Sequence, residues 1–393
     1  MPWEGADMNE IRFPVTVDLE MDLSRGAARK ASADLGGLDF DEFVVSDDWT
    51  WGNDTRYCFA SGYLHALDHR LISPDRFIRL AEARDVPEAL SMLGDTDYAR
   101  GVQDQMLLLD ASETSEIDIG PVLEREAQRV KSLIDDLTQD LEVTDILFVR
   151  DDFFNLKLAL KGVLGGVTVA DSFARLGTID PSVIYEAVRQ AGASEDIPQF
   201  LREAASLAIG AFNDTKDPIQ IDRVVDAAMF EHLQAGAIKK GVFFLHRLLM
   251  VEIDLINILT FFRLRWAGEP LFSLQTALLR GGGLSPAQFY EYFPREIDDI
   301  ETGFFAGERY HGFIAEGIAH LKNERSFVRM EALLDREILK FIEREREIGF
   351  GVESLVAYYY KKSIEMKRLR TIVIGKRAGL PAREIKARLG YVG

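Results

Sequence analysis

Cysteine is scarce in this sequence, and basic residues are fewer than acidic ones. Cys58 is the single cysteine, so no disulfide can form within the chain. This usage is typical of a reducing compartment. There are 46 Lys and Arg against 65 Asp and Glu, a formal net charge of −19 at pH 7. An acidic chain cannot gain general affinity for nucleic acid by neutralising phosphates, which argues against that class of function.

The sequence also lacks a long uncharged apolar run. Its most apolar stretch, residues 241–262, contains His246, Glu252 and Asp254. Because carboxylates are very costly at the centre of a bilayer, we expect a buried helix here rather than a transmembrane segment. The N-terminal residues show neither a basic n-region nor an apolar h-region, so no secretory signal is predicted.

Motifs for phosphate chemistry are missing as well. Gly375-Lys376 is followed by Arg377 where a phosphate-binding loop requires Ser or Thr, and no glycine stands five residues before Gly375. No Gly-x-Ser-x-Gly nucleophile elbow occurs. We therefore predict that the chain is not an enzyme on its own and binds no cofactor.

Candidate metal ligands are incomplete. His65 and His69 could share a helix face, but a zinc site requires a third ligand and none is apparent. Glu308 and His311 form one Glu-x-x-His motif, whereas a di-iron bundle requires two, with two further glutamates. The sequence predicts no metal site.

What the sequence does contain is material for a large helical core. Apolar residues make up 47% of the 393 residues, which is enough for two or three modules. Helical periodicity dominates from Thr55 onward, and β-branched runs are short, so an all-α fold is predicted. Residues 1–50 are acidic and rich in Gly, Asp and Ser, which indicates a flexible or loosely docked extension.

One helix-start signature recurs along the chain. An aliphatic residue precedes an N-cap residue and a proline, and such a proline suits the first helical position because its missing N–H would be unpaired there anyway. The three strong copies, spaced by 107 and 105 residues, are Ser73-Pro74, Asp180-Pro181 and Ser285-Pro286. Leu380-Pro381 is a weaker fourth copy.

A polar tetrad recurs in step with these helix starts. An acid is followed three residues later by Asn or Arg, and the acids are separated by 102 and 111 residues. Residues at i and i+3 share a helix face, where they can bond to each other or to a neighbouring helix. The three pairs are Asp152 with Asn155, Asp254 with Asn257, and Glu365 with Arg368.

Two signatures repeating in phase at about a hundred residues indicate three similar helical modules. We place them at residues 51–145, 146–248 and 249–393, after the extension 1–50. Two interpretations of the tetrads stay open. They either pin helices together within each module or line a surface that binds another protein.

The C-terminal segment is basic. Residues 361–393 contain ten Lys or Arg and two acids, which leaves a net charge of −27 on the rest of the chain. Such a tail is expected either to fold back on the acidic body or to face an outside partner. Lys376 and Arg377 are candidates for the second role.

Several segments carry a family resemblance. Residues 356–381 join a tyrosine-bearing helix to Lys-x-x-Glu, Leu-Arg and Gly-Lys pairs. Residues 93–98 read Leu-Gly-Asp-Thr-Asp-Tyr, and the segments 152–157, 177–180 and 253–257 follow in the same order. Together they resemble the C subunit of V/A-type rotary ATPases, the family of the eukaryotic d subunit. The family's Arg-x-Arg on the first helix is replaced here by Tyr63 and His65, and residues 1–50 have no counterpart.

The resemblance implies a funnel of three modules around a pseudo-threefold axis. Such a protein joins the central shaft to the membrane proteolipid ring and transmits torque for ATP-coupled proton or sodium transport. It would be peripheral, on the cytoplasmic face of the membrane, without a catalytic residue. The alternative is a helical adaptor or scaffold unrelated to rotary motors.

The sequence thus nominates a set of residues that pin the modules or contact partners. They are Asp152, Asn155, Lys157, Asp254, Asn257, Arg263, Glu365, Arg368, Arg370, Lys376 and Arg377.

Overall fold

The computed structural model describes residues 54–111, 118–166, 169, 172–190, 194–300, 303, 309–343 and 350–391. Within these ranges every regular element is a helix and no residue forms a strand. The all-α prediction is therefore confirmed. The extension 1–50 lies outside the described residues.

The helices divide into two compact units. The first contains the described parts of Gly52–Leu141 and Ile297–Gly393, and the second those of Glu142–Glu296. The predicted module boundaries, after residues 145 and 248, both fall inside helices. The division into three modules stays a prediction.

The first unit is built from both ends of the described chain. A 3₁₀ turn, Thr55–Tyr57, leads into its first α-helix. Its helices are α1 (Cys58–Asp68), α2 (Pro74–Glu82), α3 (Val86–Ser91), α4 (Ala99–Ala111), α5 (Gly120–Leu137), α13 (Ile297–Asp299), α14 (His311–Glu324), α15 (Val328–Glu343), α16 (Glu353–Arg377) and α17 (Ala382–Arg388).

The long helix α16 lies at the centre of this unit. It contacts α1, α2, α3, α5, α15 and α17. Its apolar side chains Leu369, Ile372 and Val373 join a core formed with residues of α2 to α5 and α17. C-terminal residues therefore complete the core of the N-terminal helices.

The second unit contains the middle of the chain. Its helices are α6 (Leu141–Gly165), α7 (Pro181–Arg189), α8 (Gln199–Thr215), α9 (Ile219–Lys239), α10 (Phe243–Trp266), α11 (Leu271–Ala277) and α12 (Pro286–Tyr292). Helix α9 packs against α8 and α10, and α10 also contacts α11.

Helix α10 is the buried helix that the sequence predicts in its most apolar stretch. Besides the apolar residues Phe244, Leu248 and Val251, its charged residues Glu252 and Asp254 are buried, so the helix is enclosed on more than one side. Enclosed charges require partners, and Glu252 accepts a hydrogen bond from buried Arg150 of α6.

Ion pairs join the antiparallel helices α6 and α9 along their length. Glu142 pairs with Lys240 just beyond the end of α9. Further along, Lys157 Nζ lies 2.7 Å from Asp226 Oδ1, and Lys161 Nζ lies 2.8 Å from Asp222 Oδ2. Lys157, nominated by the sequence as a contact residue, therefore joins two helices of the same unit.

The three strong helix starts are confirmed. Ser73, Asp180 and Ser285 are the N-caps of α2, α7 and α12, each with proline in the first turn and a side-chain oxygen that accepts a backbone N–H. At Asp180, hydrogen bonds from the Ser182 side chain and backbone lower the pKa of the carboxyl. Pro381 differs, because it is itself the N-cap of α17 and makes no side-chain cap.

No helix in the described ranges combines the length and apolar character needed to cross a bilayer.

We predict that two histidines of the second unit make its stability depend on pH. The ring of His232 stacks on Phe200 with centroids 4.0 Å apart, and His246 is buried in α10. Burial lowers the pKa of both side chains. Since the unfolded chain then binds protons more readily, the unfolding free energy should fall as pH drops below about 6.5, the ordinary histidine value.

Chemical denaturation at pH 7.5 and pH 5.5 tests this. We expect His232→Phe, which keeps an aromatic ring beside Phe200, to lose less stability on acidification than the unmodified chain. The matched control is His311→Phe, at an exposed position in the first unit. An equal loss in all three proteins would contradict the prediction.

Candidate functional site

The repeated tetrads lie on the three longest helices, α6, α10 and α16, of 25, 24 and 25 residues. Each helix is followed by a glycine with a positive φ, fourteen residues after the acid of its tetrad. These acid and glycine pairs are Asp152 and Gly166, Asp254 and Gly268, and Glu365 and Gly379. The repeat therefore extends beyond the tetrad, because the glycine recurs at the same distance from the acid on all three helices.

The first tetrad binds the loop that leads to α7. Asp152 is fully buried and accepts hydrogen bonds from the backbone N–H groups of Thr178 and Ile179, each at 3.1 Å, and from the Thr178 hydroxyl at 2.6 Å. Asn155 accepts from the N–H of Ala174 at 2.7 Å and donates to its carbonyl at 2.9 Å. We call such an acid, its i+3 partner and the segments they bind a carboxylate clamp.

The second clamp repeats this arrangement on α10. Asp254 Oδ1 accepts the N–H of Leu284 at 2.9 Å. Asn257 accepts from the N–H of Leu279 at 2.8 Å and donates to its carbonyl at 2.9 Å. In both clamps the acid binds the N–H of the aliphatic residue directly before the helix N-cap. The polar tetrad and the helix-start signature are therefore in direct contact in both clamps.

Glycines allow the loops to approach the acids this closely. A Cβ on Gly177 would lie 2.2 Å from Asp152 Oδ1, and one on Gly282 would lie 2.4 Å from Asp254 Oδ1. Both glycines stand two residues before the bound aliphatic residue. Any side chain there would displace the carboxylate.

The third clamp joins distant parts of the chain. Glu365 Oε2 accepts the N–H of Ile72 at 2.6 Å, although the two residues are 293 positions apart. Ile72 directly precedes the N-cap Ser73, so its place matches that of Ile179 and Leu284. Arg70 occupies the position of the clamp glycine, and here the acid is a glutamate, whose extra methylene gives a longer reach.

A buried lysine supports this third clamp. Lys362 Nζ lies 2.7 Å from Glu365 Oε1, 2.6 Å from Glu126 and 3.3 Å from Asp97, and its side chain is only 1% exposed. Burial lowers the pKa of Lys362, but the carboxylates of Glu365 and Glu126 outweigh this and raise it above the ordinary value. Tyr98 donates its hydroxyl to Glu365 at 2.8 Å.

Arg368 takes the place of asparagine in the third clamp. Its guanidinium carbon lies 5.6 Å from the centre of the Phe77 ring and 5.5 Å from that of Tyr391. Phe77 belongs to α2 and Tyr391 follows α17. Where the amides of the other clamps bind loop backbone, Arg368 stacks between rings from both ends of the described chain.

Lys376, which the sequence nominates to face a partner, makes contacts within the first unit. Its Nζ donates to the carbonyls of Ala81 and Ala83 at the end of α2, the first at 2.9 Å. Burial lowers the pKa of Lys376. A lysine here compensates unpaired carbonyls and the negative end of the helix dipole.

Other lysines of the basic tail also fold back on acidic residues of the first unit. Lys361 pairs with Asp68 at 2.7 Å and Lys367 with Asp335 at 2.8 Å. Arg377 is exposed at the end of α16, whereas Arg370 on α16 and Arg263 in the last turn of α10 are partly exposed.

Sequence reasoning missed the supporting residues of the clamps. Lys362 and Glu126 are far apart in the chain, and nothing in their spacing indicates a contact. The clamp glycines did leave a signal, since Gly177 and Gly282 stand at the same offset from Ile179 and Leu284. The sequence alone does not show why a glycine is needed at this offset. The reason is the close contact between the loop and the acid.

No group of three or more His, Cys, Asp or Glu is placed to bind a metal ion within the part of the chain that the structure describes. Glu308, one half of the Glu-x-x-His motif, lies outside the described residues.

The described residues form an all-helical protein whose three longest helices each hold a carboxylate clamp, and comparison with known proteins gives its family. The family model of the ATP synthase (C/AC39) subunit matches residues 60–388. The chain belongs to this family, and the resemblance to the C subunit of V/A-type ATPases is confirmed.

Individual relatives agree along most of the chain. The C subunit of the A-type ATP synthase from Desulfurococcus sp. (strain SY) is 22% identical over 348 residues, covering 86% of this chain and 92% of the relative. The equivalent A-type ATP synthase protein of Thermococcus gammatolerans is 22% identical over 348 residues, covering 86% and 90%. The C subunit of the V-type sodium ATPase from Enterococcus hirae is 22% identical over 323 residues, covering 82% and 94%.

The amide of the second clamp can be tested by Asn257→Leu. The substitution removes the partner of both polar backbone groups of Leu279 in a buried place, so we expect the unfolding free energy to fall by about 1–3 kcal/mol. Asn155→Leu should behave alike. Chemical denaturation followed by circular dichroism measures both.

Asn213→Leu, at an exposed position of α8, is the matched control and should change stability by less than about 0.5 kcal/mol. If Asn257→Leu left stability unchanged but weakened binding of another protein, the tetrads would serve that binding and not the stability of the fold.

The clamp glycines give a second test. Gly177→Ala and Gly282→Ala push a methyl group into a buried carboxylate, and overpacking of this kind typically costs about 1–3 kcal/mol. Thermal unfolding should detect the loss in both variants.

Gly210→Ala is the control, because a Cβ there meets nothing within 4 Å and the residue lies inside α8. It should raise stability by up to about 1 kcal/mol. Equal effects at all three glycines would show that the close approach of loop and carboxylate is unimportant.

Proposed function

We propose that this chain is the central-stalk coupling subunit of a rotary V/A-type ATPase. In this role it links the shaft to the proteolipid ring of the membrane rotor and transmits torque for ATP-coupled ion transport. The observation that carries the proposal is the family match over residues 60–388, which runs from α1 to α17 and includes parts of both units.

The relatives' names support the assembly. They are subunits of an A-type ATP synthase and of a V-type sodium ATPase, and alignment covers nine-tenths or more of their lengths. A match over this extent supports an equivalent place for this chain in such a complex.

We further propose that the three clamps mark three equivalent modules arranged around a pseudo-threefold axis. The acid, the positive-φ glycine and the bound helix start recur in one register on α6, α10 and α16. Pro381 stands two residues after Gly379, as Pro270 does after Gly268, and each is the N-cap of a seven-residue helix. Thus α17 matches α11, and the helix start belonging to α16 is the distant Ser73-Pro74.

This arrangement suits a part that bears load and performs no chemistry of its own. Torque passes through a protein only if its helices resist bending and sliding. The clamps oppose sliding because a shift of one residue would remove the buried backbone partners of each acid. Phosphate chemistry would belong to other subunits, and the chain would act at the cytoplasmic face of the membrane.

Purification from native membranes tests the proposal. The full chain, carrying an affinity tag, is extracted in mild detergent and its companions are identified by mass spectrometry. We expect ATP-hydrolysing head subunits, shaft subunits and the proteolipid to be recovered together. Recovery of unrelated proteins without any of these would favour the helical adaptor instead.

The purified chain alone gives a second test of the proposed function. It should hydrolyse ATP no faster than a buffer blank. Turnover above background that a single substitution abolishes would contradict the non-catalytic role, even if the companions were those expected.

A further inference from the structure

One face of α1 is apolar and exposed. Its residues Phe59, Gly62, Tyr63 and Ala66 are spaced at i, i+3, i+4 and i+7. Phe59 is 74% exposed and Tyr63 44%. Their rings stack with centroids 5.9 Å apart and an interplanar angle of 15°. We call these four residues the aromatic face.

The opposite side of α1 fixes its orientation. Ala60, Ser61 and Leu64 are buried, and the Ser61 hydroxyl lies 2.9 Å from that of Ser354 on α16. Lys361 of α16 also pairs with Asp68 at the end of α1. With its inner side held by α16, the helix presents the aromatic face outward.

The face has the form of a docking surface for an apolar segment. It contains no charged residue, and a Cβ on Gly62 would meet nothing within 4 Å. Apolar spacing of i, i+3, i+4 and i+7 is the pattern by which helix faces bind a partner segment.

We propose that the chain's own N-terminal segment, through residues 40–49, covers the aromatic face. Fifty-three residues precede the described structure, and four residues separate them from α1. Asp54 is anchored, since its N–H donates to the carbonyl of Phe350 at 2.9 Å. Because α1 is only about 16 Å long, ten or so residues leading away from this anchor can span it.

The sequence of this segment suits the face. Residues 40–49 read Phe-Asp-Glu-Phe-Val-Val-Ser-Asp-Asp-Trp, an apolar centre between acidic residues. Apolar side chains can cover Phe59 and Tyr63 while the acids stay in water. Exposed arginines stand at both ends of α1, Arg56 before it and Arg70 after it, with side chains 64% and 60% exposed. They complement an acidic occupant, although each also pairs with an aspartate.

The family match gives this segment no other assigned place, because it begins only at residue 60. Relatives covered over 90–94% of their length leave little room for a counterpart. The inference is independent of the rotary function, since it concerns a contact within one chain.

Cys58 makes the proposal testable in the full chain. It is the single cysteine, it is exposed, and it adjoins Phe59. If the segment is docked for most of the time, the thiol of the folded chain should react with a thiol reagent about tenfold more slowly than after release of the segment. The release variant is Phe43→Ser with Trp49→Ser, and Phe13→Ser is the matched control outside residues 40–49.

Tryptophan fluorescence supplies a second readout. In a Trp266→Phe background the remaining tryptophans, Trp3, Trp49 and Trp51, all precede the described structure. Adding Phe59→Ser and Tyr63→Ser should shift their emission to longer wavelength. Melting curves establish that each variant folds.

Three results would overturn the proposal. Labelling of Cys58 could be equally fast in the full chain and in the release variant. Protection could rise with protein concentration, which would assign the face to a second copy of the chain. Protection could also appear only on adding other subunits, which would make it a surface for them.

Discussion

The fold depends on one repeated interaction, a buried carboxylate that accepts the backbone N–H of the residue before a helix N-cap. An N–H at this place precedes the helix and has no intrahelical partner. Asp152, Asp254 and Glu365 supply that partner from inside the protein. Each bond fixes where a helix begins relative to the long helix beneath it. The carboxylate, in turn, gains the donors without which its burial would be very costly.

The three clamps differ in how they solve the same steric problem. A backbone can reach an aspartate only if the loop carries no side chain at the point of approach, and Gly177 and Gly282 meet this condition. At the third site the corresponding residue is Arg70, and the acid is Glu365. There the nearby Lys362 offsets the concentration of negative charge. The residues around the acid thus differ in the third clamp, whereas the hydrogen bond from the helix start to the acid is the same in all three.

The third clamp joins residues from both ends of the described chain, and this affects how the first unit can unfold. The contact between Glu365 and Ile72, the stacking of Arg368 on Phe77, and the bonds from Lys376 to the end of α2 all join α16 to the N-terminal helices. The first unit therefore cannot lose its C-terminal helix without exposing the core of α2 to α5. Because the C-terminal helices complete this core, neither end of the described chain can detach without exposing it.

The sequence by itself determined the all-helical class, the three proline-marked helix starts and the family. These follow from local physics: periodicity, capping chemistry and motifs a few residues long. It also placed the tetrads in the right register. Only the tertiary structure decided what the tetrads bind, because Glu365 meets Ile72 across 293 residues and spacing alone does not encode such a contact. The same reason explains why Lys376 binds carbonyl groups at the end of α2. Whether a charged residue faces a partner, a helix end or a buried carboxylate depends on which elements pack around it.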